Sequence, residues 1–122
     1  INSHCKNKNS SVHTPYDNAI EKIRREIYAD PAKEWNIPDI AERLNLSVSH
    51  FQRLYKQRYG IPCTKDIWTS RMEYARNLLL ATDLSANEIA DMCGYKDYAY
   101  FSRQFVKYAC VSPSKYRKDN RE

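Results

Sequence analysis

The chain has 122 residues, enough for one helical domain or two very small ones that share a helix. It has only two glycines and no long apolar run, which disfavours a β-rich fold and a membrane span. Its four cysteines form no C-x-x-C motif, which argues against a disulfide scaffold or zinc cluster and favours a reducing cytoplasm.

The net charge of +5 is unevenly distributed along the chain. Residues 43–65 and residues 98–118 each carry a local charge of +5 and contain no Asp or Glu, whereas residues 16–42 and 66–97 are net acidic. One basic island is often a chance cluster on a solvated surface. Two islands in matching places of a repeat instead predict two surfaces that face an anionic partner, and double-stranded DNA is the first candidate.

Residues 1–14 are polar and aperiodic, and we expect a flexible leader there. His4, Cys5 and His13 belong to the residue types that bind metals, but a mobile segment offers no fixed neighbours to orient them. We therefore expect no metal site and no cofactor.

The first helix is expected from about Pro15 to Asp30, because Ile20, Ile23 and Ile27 recur on one face. Two shorter helices follow, Pro38–Asn45 and Val48–Tyr59. Ser47 is placed to cap the second of them, and Gly60 suits a left-handed position just past its end. We expect that second helix to bury Phe51, Leu54 and Tyr55.

A longer helix is expected from Pro62 to about Thr82, with Trp68, Met72, Ala75 and Leu79 along one stripe. About twenty residues at ~1.5 Å each span roughly 30 Å. This length suits a connecting helix between two small subdomains.

The pair of short helices then recurs about 50 residues further along the chain. Ser85 and Glu88 form a capping-box pattern, and Asp97 is placed to cap a helix that carries Phe101, Phe105 and Tyr108 on one stripe. The correspondences are Ile89-Ala90 with Ile40-Ala41, Asp97 with Ser47, Phe101 with Phe51, and Arg103 with Arg53. A last helix is expected from Ser112 to about Asp119. The sequence thus predicts an all-α fold of about seven helices: a first helix-turn-helix subdomain (residues 15–61), a connecting helix (62–82) and a second subdomain (83–122).

The motifs in these helices resemble the AraC/XylS class of bacterial transcription regulators. They include Leu46-Ser47-x-Ser49-x-Phe51-x-Arg53-Leu54, then Gly94-Tyr95-x-Asp97-x-x-Tyr100-Phe101-Ser102-Arg103-x-Phe105, then Ser112-Pro113-x-x-Tyr116-Arg117. The chain departs from the family at Cys110, where glycine is usual. A non-glycine residue in a left-handed cap costs on the order of 1 kcal/mol, so either the fold tolerates this cost or the chain leaves the helix differently.

The resemblance implies two recognition helices in successive major grooves of double-stranded DNA, and a role in regulating, by expectation activating, bacterial transcription. A connecting helix of roughly 30 Å agrees with the ~34 Å repeat of DNA. The positions carried over as base-reading residues are Val48, Ser49, Gln52 and Arg53 in the first unit, and Tyr98, Ala99, Ser102 and Arg103 in the second. Val48, Tyr98 and Ala99 have an alternative role in supporting the fold. The expected phosphate contacts are Lys56, Lys107, Lys115 and Arg117.

Two other functions compete with DNA binding at this stage. A helical protein-interaction module could bind an acidic partner through the same basic surfaces. An enzyme is less well supported, because Cys63, Cys93 and Cys110 are scattered and no catalytic constellation surrounds His50. We also expect a sensing or dimerisation domain before this segment, with RNA polymerase as a candidate partner; the operator and the signal stay open.

Overall fold

The computed structural model describes residues 14–121, and all regular structure in that range is helical. The helices are α1 (Asp17–Ala29), α2 (Ile37–Arg43), α3 (Val48–Tyr59), α4 (Cys63–Ala81), α5 (Ala86–Met92), α6 (Tyr98–Ala109) and α7 (Pro113–Asn120). The predicted all-α class and the number of helices are confirmed for the described residues. The leader up to residue 13, including His4, Cys5 and His13, lies outside them.

The chain divides into two compact units. Unit 1 comprises residues 14–29 and 35–67, and unit 2 comprises residues 30–34 and 68–121. The long helix α4 therefore contributes its first turn to unit 1 and the rest of its length to unit 2. Among residues 14–121, no helix is both long enough and apolar enough to cross a membrane.

The core of unit 1 lies between α1 and the helix pair α2–α3. The apolar stripe of α1 is buried as predicted, and Ile37 also joins the core. Against it pack the fully buried side chains of α2 and α3, which are Ile40, Ala41, Phe51 and Tyr55. This packing fixes which face of α3 is left for solvent.

The core of unit 2 joins the later part of α4 to the pair α5–α6. Its buried members are Met72, Ala75, Leu79, Ile89, Ala90, Cys93, Phe101 and Phe105. Burial raises the pKa of the Cys93 thiol to about 12, so this cysteine is a small core residue and not a reactive thiolate.

The segment Asp30–Glu34 belongs to unit 2, although the sequence placed it in the first subdomain. The guanidinium of Arg71 on α4 donates to the carbonyl oxygens of Pro31 and Lys33, both at 2.8 Å. Gly94, with φ +93°, lies so close that a Cβ atom there would be 3.0 Å from the carbonyl oxygen of Ala32. These contacts join residues far apart in the chain, so a local sequence pattern does not predict them.

The C-terminal ends of α2 and α6 can be compared with what the sequence predicted. Helix α2 ends at Arg43, two residues earlier than predicted, because the chain turns through Asn45 in the left-handed region at φ +58°. Cys110 does occupy the left-handed cap of α6, at φ +69°, and its N–H donates to the carbonyl of Val106 at 2.7 Å. The fold therefore tolerates the cost of a side chain where Gly60 serves in the first unit.

Candidate nucleic-acid interface

Helix α3 is fixed at its start and on its inner face. The Ser47 hydroxyl accepts a hydrogen bond from the backbone N–H of His50 at 3.1 Å, which confirms the predicted N-cap. Phe51, Leu54 and Tyr55 are buried. Because a helix turns 100° per residue, burial of this stripe leaves the opposite side of the first two turns facing solvent.

The outer face of α3 carries all the residues predicted to read bases in the first unit. Val48, Ser49, Gln52 and Arg53 are exposed. Gln52 and Arg53 also line a shallow depression together with Lys56 and Gln57. This face thus offers amide and guanidinium groups side by side, and it contains no carboxylate.

Behind α3, a buried carboxylate holds the helix in place. Asp66, on the first turn of α4, is only 1% exposed. Its oxygens accept hydrogen bonds from the hydroxyl of Tyr55 on α3 at 2.6 Å and from the hydroxyl of Tyr28 on α1 at 2.8 Å. The Arg24 guanidinium completes the cluster with bonds of 2.8 and 3.3 Å. Three helices are thus joined at one side chain.

The chemistry of this cluster follows from its burial. Burial alone would raise the pKa of Asp66, but hydrogen bonds from Arg24, Tyr55 and Tyr28 outweigh it and hold the pKa below its usual value. Burial and the bond to Asp66 raise the pKa of Tyr55. The group is therefore a structural ion pair with a charged acceptor and neutral tyrosine donors.

Helix α6 repeats the plan of α3 with a stronger cap. The Asp97 carboxylate accepts from the backbone N–H groups of Ala99 at 2.9 Å and Tyr100 at 3.4 Å, as the sequence predicted. Phe101 and Phe105 are completely buried. The Tyr108 ring packs edge-on against Trp68, and its hydroxyl accepts from Arg76 at 2.9 Å, so it is half-buried and not a full core residue.

The residues predicted to read bases on α6 are less uniform in exposure than those on α3. Ala99 and Arg103 are exposed, whereas Tyr98 and Ser102 are half-buried. The Tyr98 ring packs 6.1 Å from the ring of Phe101. Tyr98 therefore supports the helix as well as bordering its outer face, which agrees with the alternative role noted from the sequence.

The predicted phosphate contacts fall into three kinds. Lys56 and Lys107 are exposed, each on the outer side of its helix. Lys115 is exposed but forms an ion pair with Asp119 at 3.2 Å. Arg117 is half-buried, and its guanidinium donates to the carbonyl oxygens of Leu79 at 2.9 Å and Thr82 at 3.0 Å. Its Nε and Nη2 thus cap the end of α4, so we infer that Arg117 supports the fold, and its contact with phosphate stays a prediction.

Two residues of structural importance were not singled out from the sequence. Asp66 belongs to an acidic stretch of the sequence, but its position three residues after Cys63 places both on one helical stripe. Tyr100 belongs to the second family motif, and it is the most exposed large hydrophobic side chain on α6. Its spacing of three residues from Arg103 was the available signal that the two side chains meet.

Within residues 14–121, no group of three or more His, Cys, Asp or Glu side chains is arranged to hold a metal ion. Burial raises the pKa of the Cys63 thiol to about 12, which removes it as a nucleophile. In each unit, a capped helix (α3 or α6) packs its inner side on an apolar core and exposes cationic side chains on its outer side.

Comparisons with known proteins agree with this architecture. A family model described as a helix-turn-helix domain matches residues 40–119. The C-terminal domain of AraT, a response regulator from Geobacillus stearothermophilus, has a TM-score of 0.81 at 33% identity, covering 89% of this chain and 91% of that one. The DNA-binding domain of AdpA, solved in complex with a target DNA, has a TM-score of 0.77 over 82% of this chain and 90% of that one. At 22% identity that likeness is one of fold alone.

Among curated proteins, the Msm operon regulatory protein of Streptococcus mutans is 33% identical over 117 residues. The aligned region covers 96% of this chain but 41% of that protein. The chain spans less than half the length of the curated relatives it matches. The matched domain, the tandem motifs and the seven helices agree with one another, and the chain belongs to the AraC/XylS family of transcription regulators and carries their helix-turn-helix domain.

Proposed function

We propose that this chain binds double-stranded DNA sequence-specifically and so regulates bacterial transcription, with activation as the expected effect. Helices α3 and α6 are the recognition helices, each entering a major groove in successive turns of the duplex. The chain acts as a binding module and not as an enzyme. The name of the Msm operon regulatory protein supports the regulatory role.

One observation supports this proposal more than any other. Both α3 and α6 are capped at their N-termini, bury an aromatic inner face, and expose cationic side chains on an outer face that carries no carboxylate. A rigid helix with such an outer face has the size and charge that the major groove accepts. A surface used only for general charge attraction would not need two such helices in tandem.

The chemistry of the exposed residues assigns their roles within the proposal. Arg53 and Arg103 suit the O6 and N7 acceptors of guanine, and Gln52 suits the N6 and N7 edge of adenine. Ser49, Ala99 and Ser102 are short enough to let the helix approach the bases, and Val48 offers a methyl surface for thymine. Tyr98 borders the second reading face. Lys56, Lys107 and, less directly, Lys115 contact phosphates, which position the protein without reading sequence.

The test is a salt titration combined with site selection from a random duplex library. If about six phosphates are neutralised, log K should fall with log salt at a slope near −5. Arg103→Ala should relax the preference at one or two positions of the selected site and cost roughly 1–3 kcal/mol. Lys107→Ala should weaken every sequence alike and reduce the slope by about 1.

Lys22 provides the matched control, because it is an exposed lysine on α1 and belongs to neither proposed recognition helix. Lys22→Ala should leave the slope and the site preference unchanged. A slope close to zero, or equal affinity for polyglutamate, would instead favour a module that binds acidic proteins. Uniform losses for both Arg103→Ala and Lys107→Ala would contradict the assignment of Arg103 to base reading.

The wider setting follows from the lengths of the relatives. Because those proteins extend well beyond the aligned region, we propose that a sensing or dimerisation domain accompanies this domain and that RNA polymerase is a further partner. Cytoplasmic location is part of the same proposal, since the operators it would bind lie there.

A further inference from the structure

The recognition arginine of unit 2 rests on an exposed aromatic ring. The Tyr100 side chain is 47% exposed, and the Cζ atom of Arg103, one helical turn further on, lies 5.9 Å from the centre of its ring. Guanidinium groups are attracted to aromatic faces within about 6 Å. This contact brings together two exposed side chains of α6.

The ring beneath Arg103 is itself supported from within unit 2. Tyr95 lies 5.9 Å from Tyr100, ring centre to ring centre, and the Cζ atom of Arg71 lies 5.6 Å from the Tyr95 ring. Arg71 is fixed in turn by its two hydrogen bonds to the carbonyl oxygens of residues 31 and 33. Successive contacts between these four side chains thus link the 30–34 segment to the Arg103 guanidinium.

The corresponding contact is missing in unit 1. The residue fifty positions before Tyr100 is His50, and fifty before Arg103 is Arg53. The His50 ring faces Tyr16 edge-on, with ring centres 6.0 Å apart. Across residues 14–121, no aromatic ring lies beneath the Arg53 guanidinium. Arg53 thus keeps the conformational freedom of a solvated arginine.

We propose that Tyr100 is a positioning residue for base recognition: its ring holds the Arg103 guanidinium in the orientation that reads a base. This inference rests on the proposed function and assigns within it one more residue that determines specificity. An arginine carries several rotatable bonds, and ordering them at an interface reduces affinity. A ring that orders Arg103 before binding removes part of that cost. Unit 2 should therefore discriminate at its arginine-read base more sharply than unit 1 does.

The experiment compares Tyr100→Phe and Tyr100→Leu in the 122-residue chain, using its library-selected duplex and single-base-pair variants of it. Tyr100→Phe keeps the ring, so discrimination at the base read by Arg103 should stay within error of wild type. Tyr100→Leu removes the ring and should reduce that discrimination by about two- to five-fold, the range of an exposed cation–π contact. Preferences at other positions should not move.

Two further variants separate positioning from direct contact. In an Arg103→Ala background, Tyr100→Leu should have no additional effect, because the group that it orients is gone. His50→Leu, the matched change in unit 1, should leave the base read by Arg53 unaffected. If Tyr100→Leu weakens all sequences equally, or has the same effect with and without Arg103, Tyr100 contacts DNA itself and the positioning proposal is overturned.

A measurement on the free protein tests the contact without DNA. The ring current of Tyr100 should shift the Arg103 δ-methylene proton resonances upfield in wild type and in Tyr100→Phe, and Tyr100→Leu should abolish the shift. Absence of the shift in folded wild type overturns the proposal even if DNA binds. If the shift is present but the chain shows no sequence preference for DNA, the contact stands as structure and the proposed function fails.

Discussion

Replacing Asp66 by asparagine should destabilise unit 1 far more than an ordinary surface substitution. The change preserves the shape of the side chain but removes the charge, and it places an NH₂ group among donors. In the wild-type protein, three groups donate to the Asp66 carboxylate: the Arg24 guanidinium and the hydroxyls of Tyr28 and Tyr55. The asparagine has one acceptor oxygen in place of two, so at least one of these donors loses its partner.

The magnitude follows from the burial of each partner. Removing one member of a buried ion pair costs roughly 3–5 kcal/mol, because the other charge is left without compensation. The Arg24 side chain is 39% exposed and can regain water, so the expected loss is about 3 kcal/mol, at the low end of that range. A loss of this size lowers the melting temperature by roughly 12 to 24 °C in a domain of about 60 to 100 residues, and the low end applies to a chain of 122.

The difference between the two proteins should also depend on pH. Hydrogen bonds and the Arg24 charge outweigh burial and hold the folded-state pKa of Asp66 below its unfolded value of about 3.9. A carboxyl group whose pKa is lowered on folding contributes stability that is complete above the unfolded pKa and is lost as the pH falls through the folded pKa. The gap between wild type and Asp66→Asn should therefore be constant near neutrality and should close below about pH 4.

Urea unfolding monitored by circular dichroism between pH 3 and pH 7 measures this gap directly. Asp91→Asn is the matched control, because Asp91 is exposed on α5 in unit 2 and its substitution should stay within about 0.5 kcal/mol of wild type. If Asp66→Asn unfolds with the wild-type midpoint, or if the gap is the same at pH 3 and pH 7, the charged carboxylate does not stabilise α3 as argued.

Four further outcomes are expected from unit 2. Cys110→Gly should stabilise the chain by about 1 kcal/mol, because glycine tolerates the left-handed conformation at φ +69°; an unchanged thermal melt would refute this. Gly94→Ala should lower the melting temperature, since its Cβ atom would lie 3.0 Å from the carbonyl oxygen of Ala32 and φ is +93°; wild-type melting would show that the loop adapts freely. Phe101→Asp should unfold unit 2 by burying an unpaired charge, as seen by lost helical signal, and retention of that signal would show that the helical phase of α6 is wrong. Arg117→Ala should reduce stability without changing the salt slope of DNA binding; a slope reduced by about 1 would instead support the phosphate contact predicted from the sequence.

The recognition helices could be predicted from the sequence because the signals for them are local. Ser47 and Asp97 mark the helix starts, and the spacing of Phe51 and Phe101 from those caps fixes the buried face. Once the buried face of a helix is known, its exposed face follows from the 3.6-residue period. Each of these inferences uses residues within one or two turns of one another.

The parts that the sequence did not reveal depend on partners far apart in the chain. Arg24 and Asp66 are 42 residues apart, and Arg117 lies 38 residues after the Leu79 carbonyl that it caps. A charged residue on a helix is expected at the surface unless its partner is known, so the sequence indicates Asp66 only as one acid of an acidic stretch and predicts Arg117 as a phosphate contact. Helical periodicity says which way a side chain points, but it does not say which donor or acceptor it meets.

The internal repeat shows how two units with one plan can hold a recognition helix by different forces. The offset of 50 residues that relates Phe51 to Phe101 also relates the pair Tyr55–Asp66 to the pair Phe105–Tyr116. In unit 1 the pair is polar, with the tyrosine hydroxyl 2.6 Å from the carboxylate. In unit 2 it is aromatic, with ring centres 5.6 Å apart in an edge-on contact.

Neither residue of the polar pair can be replaced alone by its counterpart in unit 2 without loss of stability. Phenylalanine in place of Tyr55 would leave Asp66 short of a donor and cost roughly 1.5–3 kcal/mol, the value of a hydrogen bond to a charged group. An aromatic residue in place of Asp66 would leave the Arg24 guanidinium without its carboxylate. A single substitution therefore cannot convert the polar arrangement into the aromatic one. Substituting both residues of the pair cannot do so either, because Arg24 would still lack its carboxylate. At this pair of positions the hold on α3 consequently responds to charge and acid, whereas the Phe105–Tyr116 contact behind α6 is an apolar ring contact and does not.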